Sequence, residues 1–123
     1  MPFSSYAANE ILNGNTIDHS TLYVQVHTGD PGPAGTALVS TASPPRASAA
    51  FAAVGNDLDN DPDYTIPSDG SGSNTITHVT LWDAVTAGNF LYDGEIVPGI
   101  TFLAGDVVTF DAGTLVVTLV EAV

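Results

Sequence analysis

The sequence predicts an all-β protein: a single antiparallel β-sandwich or Greek-key barrel with one short N-terminal helix. Short runs rich in β-branched and aromatic residues recur along the chain, and Gly, Pro, Asp and Asn separate them. About seven runs at this spacing are typical of sandwiches and barrels. A chain of 123 residues, 44% of them hydrophobic, can bury one core but not two. We therefore expect residues 1–123 to form one β-sandwich domain.

Residues 4–14 contain the one helical signal that we find in the sequence. Ser4 or Ser5 can cap the helix, because a serine hydroxyl accepts a hydrogen bond from the free N–H groups of the first turn. Asn13 and Gly14 follow the weakly amphipathic run and favour the left-handed conformation that ends a helix. We expect this segment to cover the sheet as a lid, or to reach a neighbouring subunit as an arm.

The first predicted strand, Leu22–His27, alternates between apolar and polar residues. Because successive side chains point to opposite faces of a strand, Leu22 and both valines should face the core, and His27 should face outward. The next segment, Asp30–Gly35, is rich in Pro and Gly and predicts a loop. Arg46–Val54 then predicts a weaker strand that is rich in alanine.

An acidic segment follows this strand. Asp57–Asp63 places an aspartate at every second position, and we expect it to be a solvated loop that keeps the edge of a sheet soluble. Tyr64–Ile66 predicts a short edge strand. Ser68–Asn74 is rich in Ser and Gly and predicts a flexible connector.

The second half of the sequence contains the strongest strand patterns. They are Thr75–Trp82, Phe90–Ile96, Ile100–Leu103, Val107–Phe110 and Leu115–Val120. The first and the last of these carry large apolar residues on both faces, whereas an antiparallel sheet usually leaves one face in water. Such strands need a second cover. We expect a neighbouring subunit to provide it, because one short helix covers little area.

The predicted subunit interface combines apolar residues of these two strands with the one arginine of the chain. Its members are Val79, Leu81, Trp82, Val116, Val120 and Arg46. A guanidinium forms directional hydrogen bonds with carboxylates. Since the chain has 14 acidic residues and a single basic one, we expect Arg46 to pair with carboxylates, either within the subunit or across the interface.

The charge balance excludes several classes of function. With 14 acidic residues, one arginine and no lysine, the formal net charge is −13. Neutralising phosphates takes several basic side chains, so the composition excludes nucleic-acid binding and docking to anionic membranes. The absence of cysteine excludes disulfides and thiolate metal sites. We expect no cofactor and no enzymatic activity, since no Gly-x-Ser-x-Gly motif or comparable catalytic pattern is present.

One pattern has metal-ligating chemistry: Asp57, Asp59, Asp61 and Asp63 offer carboxylates at alternate positions, and Ca²⁺ prefers oxygen ligands. The segment departs from the EF-hand loop, because Pro62 stands where the sharp-turn glycine belongs and the bidentate glutamate is missing. We therefore favour a solvated acidic segment, with a calcium site as the alternative.

Two stretches carry more specific information than composition. The first is Thr21–Gly32 (TLYVQVHTGDPG), followed by Ala34-Gly-Thr36. The second is Thr75–Tyr92 (TITHVTLWDAVTAGNFLY), which is followed by Ala104–Phe110 (AGDVVTF). In this order they resemble a family of small virion proteins of tailed bacteriophages, and the similarity runs from about residue 4 to residue 120. The resemblance implies an all-β structural protein of the particle, with no catalytic residues to carry over.

The resemblance leaves two positions in the particle open. A minor capsid or decoration protein on the outside of the head is our main hypothesis, because an acidic surface suits the outer side of a shell better than a side facing packaged DNA. The absence of heptads and long repeats also favours the head over a fibre. The alternative is a minor tail or tail fibre-like protein.

Two further alternatives come from other functional classes. A carbohydrate-binding module would need exposed aromatic residues on one strand face, for which Trp82, Tyr92 and Tyr23 are the candidates. A calcium-dependent adhesin would use the acidic segment. For the virion protein we expect a homo-oligomer with the major capsid protein or tail proteins of the same phage as partners, at the particle surface and, before assembly, in the host cytoplasm.

Overall fold

The computed structural model describes residues 3–15, 17–41, 46–54, 57–61, 63–67, 73–103 and 107–118. Within these ranges it contains one α-helix and eight β-strands. They are α1 (Ser5–Leu12), β1 (Thr21–His27), β2 (Ala47–Val54), β3 (Asp57–Asn60), β4 (Tyr64–Pro67), β5 (Asn74–Trp82), β6 (Phe90–Phe102), β7 (Val107–Phe110) and β8 (Val116–Thr118). The predicted all-β class with one short N-terminal helix is therefore confirmed.

Six strands form one antiparallel sheet in the order β6-β5-β1-β2-β3-β8, and β4 and β7 form a second sheet of two strands. The central strand β1 pairs with β2 on one side and with β5 on the other. Val24 lies opposite Leu81, and Val26 lies opposite Val79. All four side chains are buried, so the alternation that predicted β1 also fixes the face that forms the core.

The small sheet packs its aromatic residues against the core of the large one. Tyr64 of β4 and Phe110 of β7 are buried in the same apolar cluster as Leu22. Their rings stack with centroids 6.4 Å apart. The Tyr64 hydroxyl also donates a hydrogen bond of 3.0 Å to the backbone carbonyl of Ala47 at the start of β2, so the two sheets are joined by packing and by a polar contact.

Helix α1 begins as its sequence predicts. Ser4 is the N-cap, and its side-chain oxygen accepts a hydrogen bond of 3.1 Å from the backbone N–H of Ala7. Gly14 follows the helix with φ +77°. The Ser4 backbone N–H donates to the carbonyl of Leu91 at 2.7 Å, and Phe3 forms a β-bridge with Tyr92. The segment before the helix thus lies along the outer edge of β6.

The second face of β1 and β5 is covered by the chain itself. His27 and Thr80 lie on this face and are completely buried, which contradicts the expectation that His27 faces outward. The loop that follows β1 folds back over it: Ser40 donates to the Val26 carbonyl at 2.9 Å, and Val39 bridges to His27. Here the cover that we expected from a neighbouring subunit is the loop of residues 28–41.

A chain of hydrogen bonds fixes this loop to the sheet. Trp82 donates through Nε1 to the Thr80 hydroxyl, which lies 2.8 Å from Nε2 of His27. Nδ1 of His27 lies 2.8 Å from the Ala37 carbonyl. Because a carbonyl only accepts, Nδ1 carries the proton, and the neutral ring accepts the Thr80 hydroxyl proton at Nε2. Both ring nitrogens of His27 and the Thr80 hydroxyl therefore have partners.

Two predicted element boundaries are wrong. The acidic segment is not a loop throughout, because Asp57–Asn60 forms β3 and pairs with both β2 and β8. The strands predicted at 90–96 and 100–103 are one strand, β6, which accommodates its extra residues as an irregularity opposite β5. Its Val97–Pro98 peptide bond is cis. The connector at 68–72 and the end of the last predicted strand, Leu119 and Val120, lie outside the described residues.

Asn60 joins the end of β3 to the turn between β7 and β8. Its side-chain amide donates to the carbonyls of Phe110 and Asp111, at 3.1 and 3.2 Å, and its Oδ1 accepts from the backbone N–H groups of Thr114 and Leu115, at 3.1 and 2.9 Å. Asn60 is completely buried. This one side chain therefore provides hydrogen-bond partners for backbone groups on both sides of the turn, which lacks the regular hydrogen bonds of a β-sheet.

We expect Asn60→Ala to lower the free energy of unfolding by about 3 kcal/mol or more, because the alanine leaves buried donors and acceptors without partners. Urea unfolding of the purified chain measures this change. Asp61→Ala is the matched control, since Asp61 is the next residue and is exposed. Equal effects of the two substitutions would contradict the role assigned to the Asn60 side chain.

The second prediction concerns pH. Burial lowers the pKa of His27, and the nearby His78 adds to this effect, whereas the Ala37 carbonyl and Asp93 oppose it. A histidine with a lowered pKa in the folded state takes up its proton first in the unfolded state. Its contribution to stability is therefore complete above the unfolded pKa of about 6.5 and is lost as the pH falls below it.

We expect the wild-type chain to lose stability between pH 7.5 and 5.5 more steeply than His27→Gln, by at most about 1.4 kcal/mol per pH unit. Comparing the slopes of the two proteins removes the contributions of the carboxylates and of His19, which both proteins share. Parallel slopes would show that His27 does not titrate differently in the folded and unfolded states.

Candidate interaction surface

An apolar groove of about 760 Å³ lies between β6 and the turn that joins β7 to β8. Its lining is mostly apolar and includes Ile96, Val97, Ile100, Phe110, Leu115 and Val116. Val97 is 79% exposed. Exposed apolar side chains beside a concave surface are typical of protein–protein contacts.

The groove borders two outer strands of the large sheet, β6 and β8. An outer strand can pair with a strand of another protein, but Pro98 has no N–H group to donate and interrupts such a ladder in β6. Phe3 and Ser4 already occupy the edge of β6 at its other end. The groove is therefore suited to side-chain packing rather than to the continuous addition of a strand.

The predicted interface residues lie in different environments. Val79, Leu81 and Trp82 are at most 5% exposed within the single chain, so their apolar surface is already covered. Val116 is half-buried and lines the groove. Val120 lies outside the described residues. The subunit interface itself stays a prediction.

Arg46 closes one corner of the sheet, where its described contacts are an aromatic ring and two backbone carbonyls. Its guanidinium carbon lies 3.5 Å from the centre of the Trp82 ring. Its Nη1 donates to the backbone carbonyls of Ala84 and Ala87. Desolvation lowers the pKa of Arg46, and the charge of Asp83 opposes this effect. These contacts leave the guanidinium occupied within its own chain.

The turn of residues 83–89, which Arg46 contacts, is also stabilised by hydrogen bonds of its own. Both oxygens of the Asp83 carboxylate accept hydrogen bonds from Asn89, one from the backbone N–H and one from the side-chain amide. Gly88 has φ +71°, and a side chain there would meet Asp83 and Ala84 at less than 3 Å. Only glycine fits this position. This turn was not predicted from the sequence, although the segment 83–89 contains Asp, Gly and Asn, which are typical turn residues.

The described aspartates of the acidic segment do not gather into a metal site. Asp57 and Asp59 belong to β3, and Asp63 accepts a hydrogen bond of 2.7 Å from the backbone N–H of Ala112. Asp61 is exposed. Over the part of the chain that the structure describes, no three His, Asp or Glu side chains are grouped as metal ligands. The calcium alternative, and with it the calcium-dependent adhesin, has no geometric support.

The aromatic residues do not form a sugar-binding platform. Trp82 and Tyr92 are buried, Trp82 under Arg46 and Tyr92 against Phe3 and His19. Of the three candidates, Tyr23 alone is partly exposed. A carbohydrate-binding module needs several exposed rings on one face, so this alternative also lacks support. Among the described helices, none is long and apolar enough to span a membrane.

We expect Arg46→Lys to destabilise the chain by about 1 kcal/mol, although the charge is kept. A lysine cannot reproduce both the planar stacking on Trp82 and the hydrogen bonds to the two carbonyls. Trp82 is the single tryptophan, so its fluorescence reports both unfolding and the local contact. Unchanged stability together with an unchanged emission maximum would contradict this role of the guanidinium.

Comparison with known proteins identifies a family for this all-β chain. The family model described as "Podophage GP4 fiber I protein gp80" matches residues 2–118. No curated protein matches the chain. The match covers almost the whole sequence and includes the groove and the Arg46 corner. The chain therefore belongs to the podophage GP4 fiber I protein gp80 family of phage virion structural proteins.

Proposed function

We propose that the chain is a non-enzymatic structural subunit of the tail of a short-tailed phage, associated with its tail fibres. The observation that carries this proposal is the family match over residues 2–118, because the family is described as a fibre protein. A position in the tail, which was the alternative hypothesis, is therefore favoured over a decoration protein on the head, which was the main one.

The absence of heptads does not favour the head over the tail for a chain with this structure. Heptads are needed where a fibre shaft is built from coiled helices. A small subunit with a compact β core can join or anchor a fibre through its surface, without a repeat of its own. The apolar groove between β6 and the β7–β8 turn supplies such a surface, and we propose that other tail proteins are its partners.

The net charge leaves a decoration protein of the head as a second candidate. The net charge of −13 suits a protein that faces solvent on a particle and does not contact packaged DNA. The charge is equally compatible with an external position on the tail. Both candidates share a non-enzymatic role and a homo-oligomer, which we expect to be a dimer or trimer.

Separating heads from tails of purified particles tests the position in the virion. We expect the chain to co-purify with tails, at a copy number that is a small multiple of the fibre number. Immunoblotting of the two fractions measures this, with the major capsid protein as the marker for heads. Recovery of the chain in the head fraction would contradict the tail proposal and favour the decoration protein.

A further inference from the structure

A second cavity, of about 330 Å³, lies between α1 and β1. Its lining combines two tyrosines, Tyr6 and Tyr23, with two carboxylates, Asp18 and Asp83, and is completed by Ile17 and Thr21. It lies on the surface, and three different segments of the chain contribute to it: the helix, the first strand with the residues before it, and the turn after β5.

The chemistry of this lining is that of a cation-binding cavity. Tyrosine rings attract a cation through their negatively charged faces, and carboxylates accept hydrogen bonds from an ammonium or guanidinium. The lining is mostly polar, and the side chain of Ile17 and the tyrosine rings give it a smaller apolar part against which the methylene stem of a lysine or arginine can pack. A bare metal ion fits less well, because the described carboxylates are not grouped as a set of ligands.

The negative charges around the cavity agree with the binding of a cation. The pKa of Tyr6 is raised, first by desolvation and then by the negative charges of Glu10 and Asp83. The described hydrogen bonds of Asp18 both come from Ser20 and use one oxygen, Oδ1. Neither bond brings a positive charge to the cavity.

A lysine or arginine side chain that enters this cavity must come from another molecule. Arg46 is the single Lys or Arg of the chain, and its guanidinium is held on the Trp82 ring and by two backbone carbonyls. It offsets part of the charge of Asp83 but does not line the cavity. A second copy of this chain would bring the same single arginine and a further charge of −13. Charge complementarity therefore favours a different protein with a basic surface.

We propose that the α1–β1 cavity accepts a lysine or arginine side chain from another protein of the virion. The identity of that protein as a tail component rests on the proposed function, whereas the cation affinity of the cavity does not. The cavity lies on a different part of the chain from the apolar groove, so one subunit can contact two neighbours of different chemistry.

Titration of the isotope-labelled chain with N-acetyl-L-argininamide tests the cavity, with N-acetyl-L-norleucinamide as the uncharged comparison. We expect the arginine probe to shift the backbone amide resonances of residues 17–23 and of Asp83 saturably. Asp18→Asn should weaken binding roughly threefold, which is the usual scale for one exposed ionic contact. The asparagine can still accept the hydrogen bonds from Ser20, so the local fold is kept.

Asp61→Asn is the matched control, because it removes the same charge from an exposed site outside the cavity. Equal weakening in both variants, or shifts spread over all acidic regions, would show general attraction to the acidic surface and overturn the proposal. Equal binding of the norleucine probe would overturn it as well. The separation of heads from tails gives its result independently, so either proposal can fail without the other.

Discussion

The constraint on which the structure depends is the near absence of positive charge. With one arginine against 14 acidic residues, the fold cannot be held by a network of ion pairs. Neutral polar side chains hold its irregular segments instead. Asn60 fixes the β7–β8 turn, His27 fixes the loop of residues 28–41, and Ser4 fixes the start of α1. Such buried, fully paired groups are costly to disturb, because each partner would be left without a hydrogen bond.

The near absence of positive charge also bears on the two surfaces described above, the groove beside β6 and the cavity between α1 and β1. Carboxylates repel one another across any interface between copies, so contacts between like subunits are favoured where charge is sparse. Contacts with a basic protein are favoured where carboxylates lie beside aromatic rings. We therefore propose that different neighbours contact different faces of the chain.

Sequence patterns predicted the regular parts of the fold and missed those fixed by tertiary contacts. The alternation in Leu22–His27 and the serine cap of α1 depend on local periodicity, and both could be predicted. β3 could not, because Asp and Asn have low strand propensity, and its pairing with β2 and β8 overrides that preference. The separation predicted between the strands 90–96 and 100–103 is wrong, because β6 continues through Pro98 and Gly99. The groove escaped prediction because it joins segments that are distant in sequence.

Arg46 shows why the candidate interface could be predicted only in part. Its residue type indicated a paired guanidinium, and the structure does pair it, but with an aromatic ring and two carbonyls of its own chain. Composition alone cannot distinguish an arginine that neutralises a neighbour from one that stabilises its own turn. The formal net charge of −13 already counts this guanidinium, so no further Lys or Arg of the chain offsets the remaining carboxylates. A Lys or Arg that offsets them within a complex would belong to a partner, and we infer that contact with a basic protein is electrostatically favourable for this chain.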